Sequence, residues 1–293
     1  MSSDALDWIR AAVEPTGPIE IVHVQPWSTV LRVPTAEGPV WFKAIAPGLR
    51  HEVALHRLLA ARRPDVVPEP VAADADRGWL LLRDAGTRLR ELVQEERSPD
   101  RWRGVLTRYA ELQLAVAPDA EELLALGVPD LRLATLPDRY ARLAGELGDV
   151  RVRAAVPRVR ELCEELAGYG IPETVQHDDL HDGNVFVGAD GGTRIVDWGD
   201  AVVSHPFLTL SVTLEGVLQW GLDDDAEPSV DTAPFRDAYL QPYGHPGVDL
   251  TRAVEIALRL GWAARAVATH AAGHEEPERI HTRLRMFLDG RAG

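Results

Sequence analysis

The spacing of apolar positions changes character once along this chain. Over residues 20–46, β-branched and aromatic residues come in short runs, EIVHVQP, TVLRVPT and GPVWFKAIA. Pro26 and the segment Ala36–Pro39 interrupt them, and three strands are predicted. Residues 49–63, LRHEVALHRLLAARR, follow a loose helical stripe through Val53, Leu55, Leu58 and Leu59. The stretch PDVVPEPVAA reads as a lead-in to GWLLLRDAG (78–86), a buried strand ending at Gly86. After Gly86 the period becomes helical: TRLRELVQEE, PDRWRGVLTRYAELQLAV, LPDRYARLAGEL and VRAAVPRVRELCEELAGYG, with Pro157 starting or kinking the last. One strand-rich island, residues 173–200, interrupts the helices, which resume from about 205. The expected architecture is α+β and two-lobed. A small β-rich N-terminal lobe (1–83) leads through a connector near 83–86 into a larger, mainly helical lobe (84–293).

Composition narrows the function classes. With 293 residues the chain is long enough for two lobes around large cores. A formal net charge of -15 leaves no basic surplus to displace counterions, so nucleic-acid binding is not expected. It favours a cationic ligand, or simply solubility. No run approaches a membrane span. The start, MSSDALDWIRAAV, reads as a capped amphipathic helix and not as a signal peptide. The single cysteine, Cys163, forms no internal disulfide, and a reducing cytoplasm is the expected location.

The island carries the chemistry. HDDLHDGN (177–184) fits the kinase catalytic-loop pattern H-x-D-L-x-x-x-N, with Asp179 and Asn184 in the Asp and Asn places. DWG (197–199) stands where kinases have a metal-binding D-F-G. Asp190-Gly191 suits a two-residue type I′ turn, which would set Asn184 opposite Asp197, although Gly192 could shift the register by one. A carboxylate and an amide oxygen so placed would share Mg²⁺, a hard cation that completes its shell with water and phosphates. Asp179, in the preceding loop, would orient an acceptor hydroxyl and take its proton. His177 suits a structural hydrogen bond to the loop; His181 is ambiguous.

Lys43 is the only lysine among 31 basic residues, and it sits in an apolar strand. An ammonium is costly to desolvate there without an anionic partner. Nucleotide phosphates are one candidate, and Glu52, early in the next helix, is the other. A solvent-facing lysine at a strand end is the plainer alternative. Between the first two strands, Ser28 and neighbouring backbone N–H groups are candidates to cap the phosphates; Trp27 equally suits packing. Backbone groups around Arg83, Asp84 and Ala85 in the connector are the candidates for the base edge, by position alone.

Lys43, Glu52, HDDLHDGN, DWGDA and the SHPFLTL that follows together resemble the aminoglycoside phosphotransferase family of kinase-like small-molecule phosphotransferases. The resemblance runs over most of the chain in the order of elements. It implies ATP or GTP, Mg²⁺, and transfer to a hydroxyl of a small molecule. Carried over by motif, Asp179 would be the catalytic base, Asn184 and Asp197 the metal ligands, and Lys43 the phosphate-binding lysine. The chain departs from the family at Asp178, where members commonly have glycine; this removes backbone freedom and adds a charge. DWGDA passes almost at once into an apolar run from His205, which leaves no room for a long activation loop and disfavours protein substrates.

For the acceptor, residues 215–237 hold Glu215, Asp223, Asp224, Asp225, Glu227, Asp231 and Asp237 against Arg236. An acidic rim of this kind would suit an aminoglycoside or amino sugar; a solvated inter-helix loop has the same composition. Trp220 and Trp262 suit stacking or core packing, and Asp200 lies close enough to the metal motif to face the acceptor. A metabolite kinase (homoserine, choline or a simple sugar) and a nucleotide-binding pseudokinase are the alternatives.

Overall fold

A computed structural model describes residues 3–219, 230–244, 249–273 and 277–290. Helix α1 (Ser3–Ala12) precedes a sheet built from β1 (Glu20–Val24), β2 (Ser28–Val33) and β3 (Val40–Ile45). Helix α2 (His51–Arg62) then crosses to β4 (Pro70–Asp74) and β5 (Trp79–Arg83). The five strands are antiparallel in the order β1-β2-β3-β5-β4. Strand β4 was not foreseen. Its segment lacks alternation and begins at a proline, which a sheet tolerates only at an edge, and β4 is an edge.

Strand alternation gives the sheet two covered faces. On one, Phe42 and Leu31 meet Ala5 and Ile9 of α1, and Trp8 packs edge-on against Trp79 at 5.6 Å. On the other, Ile45 and Leu80 meet Leu49 and Val53 at the start of α2. Because Phe42 points to the α1 side, its neighbour Lys43 points to the α2 side, towards Glu52.

A connector of three residues leads to β6 (Thr87–Arg88), which pairs in a small sheet with the island hairpin. Gly86 has φ +104°, and a Cβ there would lie 2.2 Å from the Val187 carbonyl oxygen, so only glycine lets the connector lie against that hairpin. Helices α3 (Leu89–Glu96), α4 (Arg101–Val116), α5 (Ala120–Ala125), α6 (Leu136–Leu147), α7 (Val150–Ala154) and α8 (Val156–Ala167) follow. Pro157 lies in the first turn of α8, so it starts a helix where a single longer one was one of the expectations. Strands β7 (Thr174–Gln176), β8 (Val185–Val187), β9 (Thr193–Ile195) and β10 (Val202–Ser204) carry the island. A π-wound segment, Ser211–Gln219, leads towards α9 (Ala233–Leu240), α10 (Thr251–Ala272) and α11 (Pro277–Asp289).

One large apolar core joins α2, α4, the island and α10. Gly261 lets α10 close on the island side, since a Cβ there would sit 2.5 Å from the Leu208 carbonyl oxygen. Trp262 is buried and donates from Nε1 to Glu215 at 2.6 Å, which is the packing role. Trp220, Asp223, Asp224, Asp225 and Glu227 lie outside the described residues. Among the described residues, no helix is long and apolar enough to cross a membrane.

Candidate active site

The site is assembled from β3 and the start of α2, which are near neighbours in the chain, and from the island far along it. Lys43 Nζ donates to both Glu52 carboxylate oxygens, at 2.7 and 2.8 Å, and to Asp197 Oδ1 at 2.6 Å. Glu52 is 1% exposed, so this is a buried pair opening on one side to Asp197, whose side chain is half exposed. Burial alone would lower the Lys43 ammonium, but Asp197 and Glu52 more than reverse it and hold it protonated. Burial pushes the Glu52 carboxyl up to about 7 against the pull of Lys43. Gly199 makes the close approach possible, because a Cβ there would meet Glu52 Oε2 at 3.1 Å.

The catalytic loop is tied down from several sides. The His177 N–H donates to Tyr109 Oη at 2.8 Å, and His177 Nε2 bonds the Val196 carbonyl at 3.0 Å. Its Nδ1 accepts from the Asp179 N–H at 3.3 Å. Burial holds this ring neutral, so His177 is a brace between the loop and the strand leading to Asp197. Trp198 is fully buried against His177 and Tyr109, which anchors DWG from within. Two of the three described non-glycine residues with positive φ, Asp178 (62°) and Asp197 (68°), are here, so backbone strain concentrates at the site.

The hairpin corrects one expectation. Its loop has three residues, Ala189–Gly191, closed by the Gly188 N–H to the Gly192 carbonyl at 2.9 Å, with Gly191 at φ +76°. This is a type I turn extended by a left-handed glycine, and it shifts the register by one. Asn184 therefore faces Val196, whose N–H donates to the Asn184 carbonyl at 3.1 Å, and Asp197 is the next residue on. Asn184 Nδ2 donates to the Asp179 carbonyl at 3.0 Å, which leaves Oδ1 as its acceptor atom. That oxygen and the Asp197 carboxylate are a donor pair suited to a hard cation completed by phosphates and water. Among the described residues, no cluster of three or more His, Cys, Asp or Glu side chains could hold a metal alone.

Asp179 is gripped by an arginine that the sequence did not single out. Arg265, buried on α10, donates from Nη2 to Asp179 Oδ1 at 2.6 Å, and its Nη1 lies 3.7 Å from Asp178 Oδ2. Burial would raise Asp179, but Arg265 first, then His181, holds it well below the usual carboxylate range. His181 faces it with Nε2 at 3.4 Å from Oδ2. Asp178 is buried too; its Oδ1 accepts from Gln176 Nε2 at 3.1 Å.

Lys43, Glu52, Asp179 and Asp197 line one cleft together with Trp27, Asp200, Arg265 and Arg279. Ser28 does not: it is buried at the start of β2, its N–H is bonded to the Gln25 carbonyl at 3.2 Å, and Trp27 lines the cleft instead. A two-residue turn at Pro26-Trp27 leaves Ser28 inside the ladder. Arg83 ends β5 with its guanidinium on Glu37 at 2.9 Å. Both Asp84 carboxylate oxygens are taken, by the Gly86 N–H at 2.8 Å and Trp41 Nε1 at 2.9 Å, so Asp84 shapes the connector with its side chain. Ala85 follows it in the same connector.

A small antiparallel sheet with its lysine–glutamate pair, set against a helical body with the loop and DWG motifs, is a kinase-like architecture. The chain belongs to the phosphotransferase enzyme family, whose sequence model matches residues 22–255. It is thus a small-molecule phosphotransferase. Its fold is similar to that of a macrolide 2′-phosphotransferase from Brachybacterium faecium, with 18% identity and a TM-score of 0.59 over 99% of this chain and 98% of that one. An ethanolamine kinase from Plasmodium vivax gives 11% identity and a TM-score of 0.63 over 97% and 85%. The streptomycin-ATP-APH(2″)-IIa ternary complex gives 13% and 0.63 over 98% and 99%. No curated protein matches the chain.

Proposed function

We propose that this protein transfers the γ-phosphoryl group of ATP, or GTP, to a hydroxyl of a small molecule, and that Asn184 and Asp197 would hold the Mg²⁺ that accompanies the nucleotide. The observation that carries this reading is the meeting of Lys43 with Asp197 at 2.6 Å in a cleft that Asp179 also lines. The ATP in one structural relative's complex supports the choice of nucleotide. Residues 1–83 form the nucleotide lobe in this reading and 84–293 the catalytic lobe, with Ala85 and its neighbours at the base edge.

Phosphoryl transfer asks for alignment and for positive charge against the charge that develops on the phosphate oxygens. Lys43 supplies a compact ammonium, kept in place by Glu52. Mg²⁺, when bound, would neutralise phosphate charge. Asp179, fixed by Arg265 on one oxygen, presents its other oxygen beside His181 to orient the acceptor hydroxyl and receive its proton. An amino-sugar acceptor rests on acidic residues that mostly lie outside the described structure. The test is nucleotide consumption with Mg²⁺ across a panel of hydroxyl compounds. Acceptor-dependent release of the nucleoside diphosphate supports the reading, and Mg²⁺-dependent nucleotide binding with no turnover on any acceptor favours a pseudokinase.

A further inference from the structure

Behind the loop that carries Asp179 lies a second cavity, of about 120 Å³, between the start of α2, α6, β10 and α10. It shares Leu49, Gly199, Asp200 and Arg265 with the phosphoryl-transfer cleft, so the two spaces abut across one guanidinium. Its walls are apolar at Leu131, Val202 and Ala268. Its polar atoms are unevenly satisfied. Arg265 is 8% exposed, yet its buried Nη1 has no hydrogen-bond partner. His51 Nε2 is likewise buried without one. Arg139 lines the same space and makes no ion pair or side-chain hydrogen bond among the described residues. A buried guanidinium N–H left unmet is destabilising, and beside the unpaired Arg139 it marks a place where a ligand's acceptor atoms complete the set.

Resting on the kinase reading of the adjoining cleft, we infer that this cavity seats the carboxylate of the acceptor, which makes the acceptor a small hydroxy acid. The planar two-oxygen group matches guanidinium donors on Arg139 and Arg265. Asp200 also borders the cavity, which disfavours a dianionic phosphate and leaves a monoanion. A short apolar stem lies on the Leu131–Val202–Ala268 wall, and the hydroxyl reaches past Arg265 to Asp179. In the reaction the hydroxyl oxygen bonds the γ-phosphorus as the β–γ bridging P–O bond breaks. The proton passes to the Asp179 carboxylate, and the nucleoside diphosphate leaves.

The experiment uses the full chain with Mg-ATP and a series of ω-hydroxy carboxylates from glycolate to 6-hydroxyhexanoate. The matching amides, a set of amino alcohols and a set of aminoglycosides are run beside them, and nucleotide binding is measured separately by calorimetry. One or two chain lengths of the acid series should be phosphorylated at least tenfold better, in kcat/KM, than their amides. Arg139→Gln should raise the KM for the acid at least tenfold with kcat nearly kept, and Arg139→Lys should restore part of the loss. Turnover of amino alcohols or aminoglycosides alone overturns the carboxylate assignment, as does an acid KM unmoved by Arg139→Gln. So does normal nucleotide binding without binding of any acid, read by calorimetry in the presence of a non-hydrolysable ATP analogue. Failure to bind nucleotide would instead sink the kinase reading itself.

Discussion

Lys43 Nζ and Asp197 Oδ1 are 2.6 Å apart, although 154 residues separate them along the chain. Strand alternation turns the lysine away from α1, the left-handed backbone at Asp197 turns its carboxylate towards the cleft, and the buried Glu52 fixes the ammonium between them. Lys43 thus bridges the small sheet and the island.

That geometry asks for a compact cation, and thirty arginines elsewhere show that the chain does not lack the alternative. Lys43→Arg keeps the charge but puts a wide planar fork where one nitrogen now serves three carboxylate oxygens. We expect kcat/KM to fall by about 10²-fold or more, as for loss of an oriented charge donor. Steady-state kinetics check this; near-normal turnover would show that any cation suffices.

Asp197→Ala removes one of the two oxygen donors suited to Mg²⁺ and also releases Lys43. Nucleotide affinity in Mg²⁺ should drop by at least about tenfold, roughly 1.4 kcal/mol, while affinity in EDTA should change little. Calorimetric titration in both conditions reads this directly. Equal losses in the two conditions would place Asp197 outside the metal site.

Much of this was legible because the motifs are local. HDDLHDGN, DWG and the lone lysine each stand out in a single line of sequence, and the strand and helix around Lys43 and Glu52 follow from apolar spacing. What was not legible depends on distant packing. Arg265 is one arginine in a helix of mixed pattern, and nothing nearby marks it; only the close approach of α10 at Gly261 brings it to Asp179. The hairpin takes the second of the two registers that the sequence allows, because Gly191 takes a left-handed conformation that the Asp-Gly pair also permits in a shorter turn. Ser28 suited a phosphate loop by type, but the Pro26-Trp27 turn draws it into the ladder.

Asp179→Asn keeps the shape of the side chain and leaves Lys43 and Asp197 untouched, and Asn184 keeps its bond to the carbonyl of residue 179. Nucleotide affinity should stay within about twofold, while kcat falls by about 10²–10⁴-fold, the range for loss of a positioned base. Nucleotide binding by calorimetry and turnover on the acceptor separate the two effects. A mutant with most of its turnover intact would remove Asp179 from the role of base.

Asp178 stands at φ 62° and is 4% exposed, two costs that a glycine there would avoid. Burial pushes its carboxyl up to about 7 from an ordinary 3.8, against the pull of Arg265. Between roughly pH 4 and pH 7 the folded chain therefore holds a proton that the unfolded chain has released. Raising the pH through that window costs stability, the reverse of an exposed, salt-bridged carboxylate. Asp178→Asn resembles the protonated acid, tolerates the left-handed backbone, and keeps an oxygen for Gln176 Nε2. The variant should already exceed the parent by about 1.5 kcal/mol near pH 5, a little over one pH unit into the window. It should be more stable near pH 8 by up to about 4 kcal/mol, at ~1.4 kcal/mol for each pH unit of the window. Urea unfolding at the two pH values measures the difference. A variant less stable than the parent at pH 8 would mean that Arg265, 3.7 Å away, stabilises the ionised carboxylate by more than burial costs it.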